Sequence, residues 1–190
     1  CAGGAGTTAQ FPCPMVKSPE GYFFFRVTVK GLTGGHSGDD INKKRANANK
    51  VLNRYLMLLS QKYDLYIAEI DGGNLHNAIP REAHAVCAVP MKDKESVRVD
   101  LNIFLADVEN EFSVTEPNIR MDLESETALP EVIEKSAMTK FLNSIHAVHN
   151  GVFAMSQDME GLVETSSNLA SIKIRDGQIV VVTSQRSSIL

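Results

Sequence analysis

The sequence predicts an α+β fold: a mostly antiparallel sheet with helices on one face, built on a ferredoxin-like β-α-β-β-α-β core with an extra helix and a C-terminal hairpin. Three observations predict it. Aromatic and β-branched runs with period-two alternation and two long stretches of helical spacing follow one another as strand, helix, strand, strand, helix, strand. That order favours two helices on one side of an antiparallel sheet. Near the end, Arg175-Asp176-Gly177 separates two further apolar runs, and Asp-Gly there signals a hairpin.

The first strand is Tyr22-Phe23-Phe24-Phe25-Arg26-Val27-Thr28-Val29-Lys30, broken by the glycines over 31–38. A helix is predicted over 41–59. Ala48, Val51, Leu52, Tyr55, Leu58 and Leu59 share one face there, with Lys and Arg on the other. Asp39 and Asp40 are its capping candidates. Strands over 65–70 and 84–89 form a hairpin with a long loop, marked by Asp71-Gly72-Gly73 and Ile79-Pro80. Val97, Leu101, Phe104, Leu105 and Val108 define a second helix over 94–112, and residues 119–125 alternate apolar and charged as a strand. A helix over 136–149 and strands over 168–174 and 178–183 extend the same sheet. The small-residue opening at 1–8 is assigned no element. No linker, repeat, low-complexity stretch or charge block divides the chain, so residues 1–190 are expected to form one domain.

Composition narrows the function. With 43% hydrophobic and 22% charged residues the chain buries a real core and is not a disordered tail. A net charge of −4, from 19 Lys and Arg against 23 Asp and Glu, gives no broad footprint for nucleic acid. The longest apolar stretches are too short to cross a bilayer. Three irregularly spaced cysteines, Cys1, Cys13 and Cys87, form neither a disulfide framework nor a zinc pattern, which favours a reducing cytoplasmic setting. The chain starts at Cys1 rather than Met and stops just after a strand-like run, so a piece of a longer protein is expected. An N-terminal cysteine nucleophile or lipid attachment at Cys1 is a minor alternative.

Chemistry is expected first at Gly31-Leu32-Thr33-Gly34-Gly35-His36-Ser37-Gly38-Asp39-Asp40, where glycines leave His36 open to a ligand. A glycine turn with an incidental histidine competes with that reading. The ending Gly-Lys-Ser/Thr of a phosphate loop is missing. In the polar loop over 71–82, Asn74 and Asn77 offer donors and acceptors for an amide or carboxylate, or simply form the turn. His146 and His149 share a helix face as a weak metal pair without a third ligand, and Gly3-Gly4-x-Gly6 lacks the preceding strand of a dinucleotide site. Arg186 is a candidate fork for a substrate carboxylate or a solvated strand-end charge.

Gly34-Gly35-His36-Ser37-Gly38-Asp39-Asp40-Ile41, followed by Arg45-Ala46-Asn47-Ala48-Asn49-Lys50, resembles the lid or dimerisation domain of M20-type dinuclear-zinc metallopeptidases, in the bacterial Xaa-His (aminoacyl-histidine) dipeptidase branch. Gly73-Asn74-x-x-Asn77-Ala78-Ile79-Pro80-Arg81-Glu82, Asn150-Gly151-Val152, Gly161-Leu162-Val163-Glu164-Thr165-Ser166-Ser167-Asn168-Leu169 and Arg186-Ser187-Ser188 support it in order, and Cys1-Ala2-Gly3-Gly4 resembles the exit from that family's catalytic domain.

The resemblance implies a homodimeric dipeptidase in which two zinc ions activate water. It implies that His36 reaches the partner's site and steadies the oxyanion, that Asn77 holds the dipeptide substrate, and that an arginine clamps its carboxylate. The usual place for that arginine carries Val89-Pro90-Met91 here, which leaves Arg186 as the candidate. The family's His-x-Asp, Glu-Glu and late-His metal signatures are not in these residues. The resemblance therefore implies that this segment alone neither binds the zinc pair nor hydrolyses peptides. The rival is a stand-alone oligomerisation or small-ligand-binding α+β module.

Overall fold

A computed structural model of the chain describes residues 3–189. Cys1, the candidate nucleophile, lies outside the described residues.

Strand β1 (Gly3–Pro12) and the short β2 (Met15–Lys17) lead into β3 (Tyr22–Lys30) and the two-residue β4 (Gly35–His36). Helix α1 (Ala48–Lys62) precedes β5 (Tyr66–Gly72), β6 (Ala78–Ile79) and β7 (Ala83–Pro90). Helix α2 (Lys94–Glu111) is followed by β8 (Arg120–Ser125) and β9 (Glu131–Ile133). The chain closes with α3 (Lys135–Ala147), β10 (Gly151–Met155), β11 (Val163–Arg175) and β12 (Gln178–Ser187).

The main sheet runs β1-β12-β11-β5-β7-β3-β8, with β10 added beside β11 and every pairing antiparallel. The stretch β5-β7-β3-β8 has the strand order of the predicted ferredoxin-like core. Alternation explains its packing. Phe23, Phe25, Val27 and Val29 of β3, with Ala85, Cys87 and Val89 of β7, face one way and join the buried side chains of all three helices in one apolar core. Phe24, Ala68, Val86 and Ala88 point to the opposite face, where Val132 of β9 helps cover them. Tyr55 of α1 is fully buried, and its hydroxyl donates to Val97 O at 2.7 Å, joining α1 to α2 without leaving a buried polar group unpaired.

Several boundaries differ from expectation for identifiable reasons. Helix α1 starts at Ala48 rather than at 41, because residues 41–43 form a 3-10 turn and Lys44 takes a left-handed backbone (φ 54°) that no α-helix continues. Asp39 and Asp40 therefore do not cap α1. Asn47 does, accepting from Asn49 N and Lys50 N. Helix α3 ends at Ala147 with Val148 extended, which puts His149 beyond it.

Strand β1 was not legible. It pairs β12 from Gly3↔Ser187 to Pro12↔Gln178, but as a sheet edge of small, largely exposed residues it carries no apolar alternation. The polar ends of β11 and β12 extend both strands past their apolar cores in the same way. The short β2–β9 pair and β10 were likewise not anticipated. At the hairpin tip Asp176 and Gly177 both have positive φ, as the Asp-Gly signal requires.

Candidate functional site

Residues 31–47 leave β3, turn through four glycines, three of them at positive φ, and return to α1. Gly34 and Gly35 have φ of 66° and 140°, and a Cβ at Gly35 would lie 2.4 Å from Arg45 Nη1 and 2.6 Å from Asp40 Oδ2. Those two side chains fill the glycine's space because they hold the loop. Arg45 Nη1 donates to Gly34 O at 2.5 Å, and Asp40 Oδ2 accepts from His36 N at 2.7 Å. Lys43 Nζ donates to Asp40 Oδ1 at 2.6 Å. The lysine bond first, and the His36 N–H second, hold the Asp40 carboxyl below the usual carboxylate range.

The loop is also stitched to the loop carrying Asn77. Strand β4 pairs β6 through Gly35↔Ile79 and His36↔Ala78, and Ser37 N donates to Asn77 O at 2.9 Å. Asn77 stands exposed beside the histidine loop. Asn74 lies further along, its Oδ1 taken by Lys173 Nζ at 2.8 Å, and so serves as a loop anchor.

Arg186 comes from the far end of the chain, on β12 between Gly4 of β1 and Ser166 of β11. Its Nη2 lies 3.3 Å from His36 Nε2, and the guanidinium covers Gly38, where a Cβ would come within 3.0–3.1 Å. Thus the structure brings together His36, the Asn77 loop and Arg186, drawn from three separate parts of the sequence. A cleft of about 220 Å³ opens beside them, lined by Gly38, Asp39, Asn42, Glu164, Ser166 and Arg186 among others.

The ring's contacts favour different tautomers. Arginine only donates, so the Arg186 contact suits Nε2 as acceptor with the proton on Nδ1, 3.1 Å from Asp39 Oδ2. The alternative, with Nδ1 accepting from Asp39 N at 3.2 Å, sets an Nε2–H against the guanidinium. Arg186 Nε and Ser37 Oγ are both buried without a hydrogen-bond partner. Buried unpaired polar atoms cost stability, and two of them, one on the cleft-lining Arg186 and one on Ser37 in the histidine loop, suit a place built for something other than stability.

A buried polar hub backs the site. Asn47 Nδ2 donates to Asn150 Oδ1 and to Leu169 O, both at 2.9 Å, while Asn168 Nδ2 donates to Ala78 O at 2.8 Å. Asn150 Oδ1 also accepts from Leu169 N at 2.9 Å. These asparagines sit in the stretches that carried the resemblance, yet nothing in their spacing assigned them this role. Asp40, read as a helix cap, proves to be a brace of the histidine loop.

The remaining candidates stay apart from the cluster. His149 lies past the end of α3 with its ring 4.1 Å from that of Phe153, so the helical facing expected with His146 does not arise. Among the described residues no three His, Cys, Asp or Glu side chains group to hold a metal ion. Gly3, Gly4 and Gly6 lie within β1 itself rather than in a strand-to-helix turn. No helix among the described residues is long and apolar enough to cross a membrane.

Comparison with known proteins gives a consistent picture. The family model for the M20 peptidase dimerisation domain matches residues 20–116, just over half of the chain. Over 181 residues the chain is 33% identical to the cytosol non-specific dipeptidase of Escherichia coli K12, covering 95% of this chain and 37% of that protein. It is 35% identical to the aminoacylhistidine dipeptidase of Vibrio alginolyticus, whose crystal structure superposes with a TM-score of 0.96 over 98% of this chain and 38% of that one. The chain thus spans little more than a third of the length of either relative.

Proposed function

The chain belongs to the M20 peptidase dimerisation domain family, and from that premise we propose that residues 1–190 are the lid and dimerisation domain of a longer, two-domain, zinc-dependent dipeptidase. The substrates are Xaa-His dipeptides of the β-alanyl-histidine kind, and the enzyme is a cytoplasmic homodimer. The observation that carries this reading is the convergence of His36 and Arg186, 3.3 Å apart, beside the Asn77 loop. A donor, an amide and a guanidinium carried by adjoining segments are the groups needed to hold a dipeptide by its peptide oxygen, its backbone and its terminal carboxylate.

The two zinc ions belong to the catalytic part of the longer protein. When bound they supply an activated water and polarise the peptide carbonyl. This segment supplies the remaining contacts. Arg186 takes the substrate's terminal carboxylate, an anion that suits its bidentate fork and gives its unpartnered Nε an acceptor. Once the guanidinium is so engaged it no longer opposes a proton on His36 Nε2, and the ring takes, by proton exchange with solvent, the tautomer in which Nδ1 accepts from Asp39 N and Nε2 carries the hydrogen. The imidazole then presents an Nε2–H to the oxyanion forming in the partner's site. Asn77 holds the substrate backbone, and closure of the lid excludes water.

The names of the two relatives differ in specificity, one aminoacylhistidine and one non-specific. Hydrolysis of β-alanyl-histidine against a dipeptide without histidine, by the complete enzyme, measures which of the two this protein follows. The role of His36 is tested in the same assay. His36→Ala is expected to lower turnover about 10²- to 10³-fold with bound metal and dimer intact. Near-normal turnover would remove the assignment.

A further inference from the structure

Glu116 is a carboxylate only 1% exposed, and it stands at neither the cleft nor the surface. Its two oxygens take one backbone N–H each, from Thr33 at 2.7 Å and from Ala46 at 3.0 Å. Those residues are the two feet of the loop that presents His36. Thr115 repeats the pattern, since its carbonyl accepts from Thr33 Oγ1 at 3.4 Å and its hydroxyl donates to Lys44 O at 3.1 Å. Gly31 fits beneath the same segment, with no room for a Cβ against Asn118 O.

From this arrangement we infer that Glu116, helped by Thr115, is a positioning residue that clasps both feet of the histidine loop and so sets where His36 stands when substrate is bound. The inference rests on the functional reading of His36. Burying a carboxyl group is costly unless hydrogen bonds compensate its lost hydration, so a fold that needed only to fill this space would use an apolar side chain. A carboxylate does what an apolar residue cannot. It presents two acceptors at a fixed separation, and so fixes the distance between Thr33 and Ala46. Between those feet the loop turns through glycines and is braced from within by Asp40 and by the Arg45–Gly34 O bond, which joins the two limbs one residue further in, whereas Glu116 holds the feet themselves from outside the loop. A histidine that must meet a developing oxyanion is sensitive to small displacement, because misplacement by about 1 Å can cost about 10²-fold in rate.

The test uses the complete, metal-loaded enzyme. Glu116→Gln keeps the volume but turns an NH2 donor towards one of the two N–H groups. It should lower kcat roughly 10- to 100-fold, with KM, metal content and dimer unchanged. In a His36→Ala background the same change should produce no further loss, because the histidine through which Glu116 acts is gone. Near-normal kcat for Glu116→Gln, or losses that multiply in the double variant, would overturn the clasp while leaving the reading of His36 intact. A His36→Ala enzyme with normal turnover would overturn both. If Glu116→Gln fails to fold, Thr115→Val is the milder cut. Its smaller loss of kcat should likewise vanish without His36, and its persistence there would sink the inference.

Discussion

The helix-backed sheet and the loop over residues 31–47 meet at the start of α1, yet they are held by different forces. In the sheet, Phe25, Val27, Ala85, Cys87 and Val89 are fully buried against the helices, and stability comes from apolar area and close packing. Cys87 shows how dry that region is, since burial pushes its thiol far above the ordinary range. In the loop the apolar side chains Leu32, Ile41 and Ala46 are buried, and the stretch between Leu32 and Ile41 that presents His36 is glycine and polar. Its shape is set by glycines and by hydrogen bonds from Asp40, Arg45, Asn77 O and Glu116. Packing is cooperative and tolerant of detail, whereas directional bonds place one side chain in one position. The same chain thus devotes its core to persistence and its loop to aim.

The comparison predicts graded outcomes. The largest is in the core, where Phe25→Ala should cost about 3–5 kcal/mol, read as a lowered denaturant midpoint. Turnover per folded molecule should be unaffected. Gly35→Ala should show the reverse pattern. Its strained φ and the clash with Asp40 and Arg45 cost about 1–3 kcal/mol, confined to the loop. Turnover should fall much more than the unfolding midpoint, and equal effects on both would erase the distinction. Asn47→Ala lies at the junction and should lower both, with about 1–2 kcal/mol of stability lost through the cap.

The smallest expected effect is that of pH. The Asp40 carboxyl titrates below its unfolded value of 3.8, so its bracing contribution is complete above that value and lost as pH falls through the lower, folded one. Hydrogen exchange at the His36 amide should therefore quicken, relative to core amides, only on acidification below the ordinary carboxylate range. Replacing Asp40 with Asn should remove that pH dependence.

The two regions also differ in how far they could be read from sequence. The β5-β7-β3-β8 order and helix α2 were legible, because burial on one face writes a period of two or 3.6 into the residues. Strand β1 was not, since an exposed edge of Gly, Ala and Thr leaves no such pattern. In the site, His36, Asn77 and Arg186 were legible as candidates from residue type and motif. Their convergence was not, because it depends on β4–β6 pairing and on a strand 150 residues further along. Glu116 gave no signal, and Asn168 gave only its place in a family-like stretch, with nothing to assign its role. Their bonds run to backbone groups 70 and 90 residues away, and a backbone N–H or C=O partner has no sequence signature. The misreading of Asp40 as a helix cap has the same origin, since an acidic residue before a helix and one bracing a loop look alike until Lys44 is known to turn left-handed.

If this segment completes the partner's active site with His36, as proposed above, mixing subunits will show it. One full-length subunit carries His36→Ala with its metal ligands intact, and the other keeps His36 but has lost its metal ligands. Each homodimer should be inactive. Statistical mixing makes about half of the dimers mixed, each with one complete site, so activity should recover to about one quarter of the wild-type value. No recovery, with mixed dimers shown to form, would mean that His36 does not serve the opposite subunit.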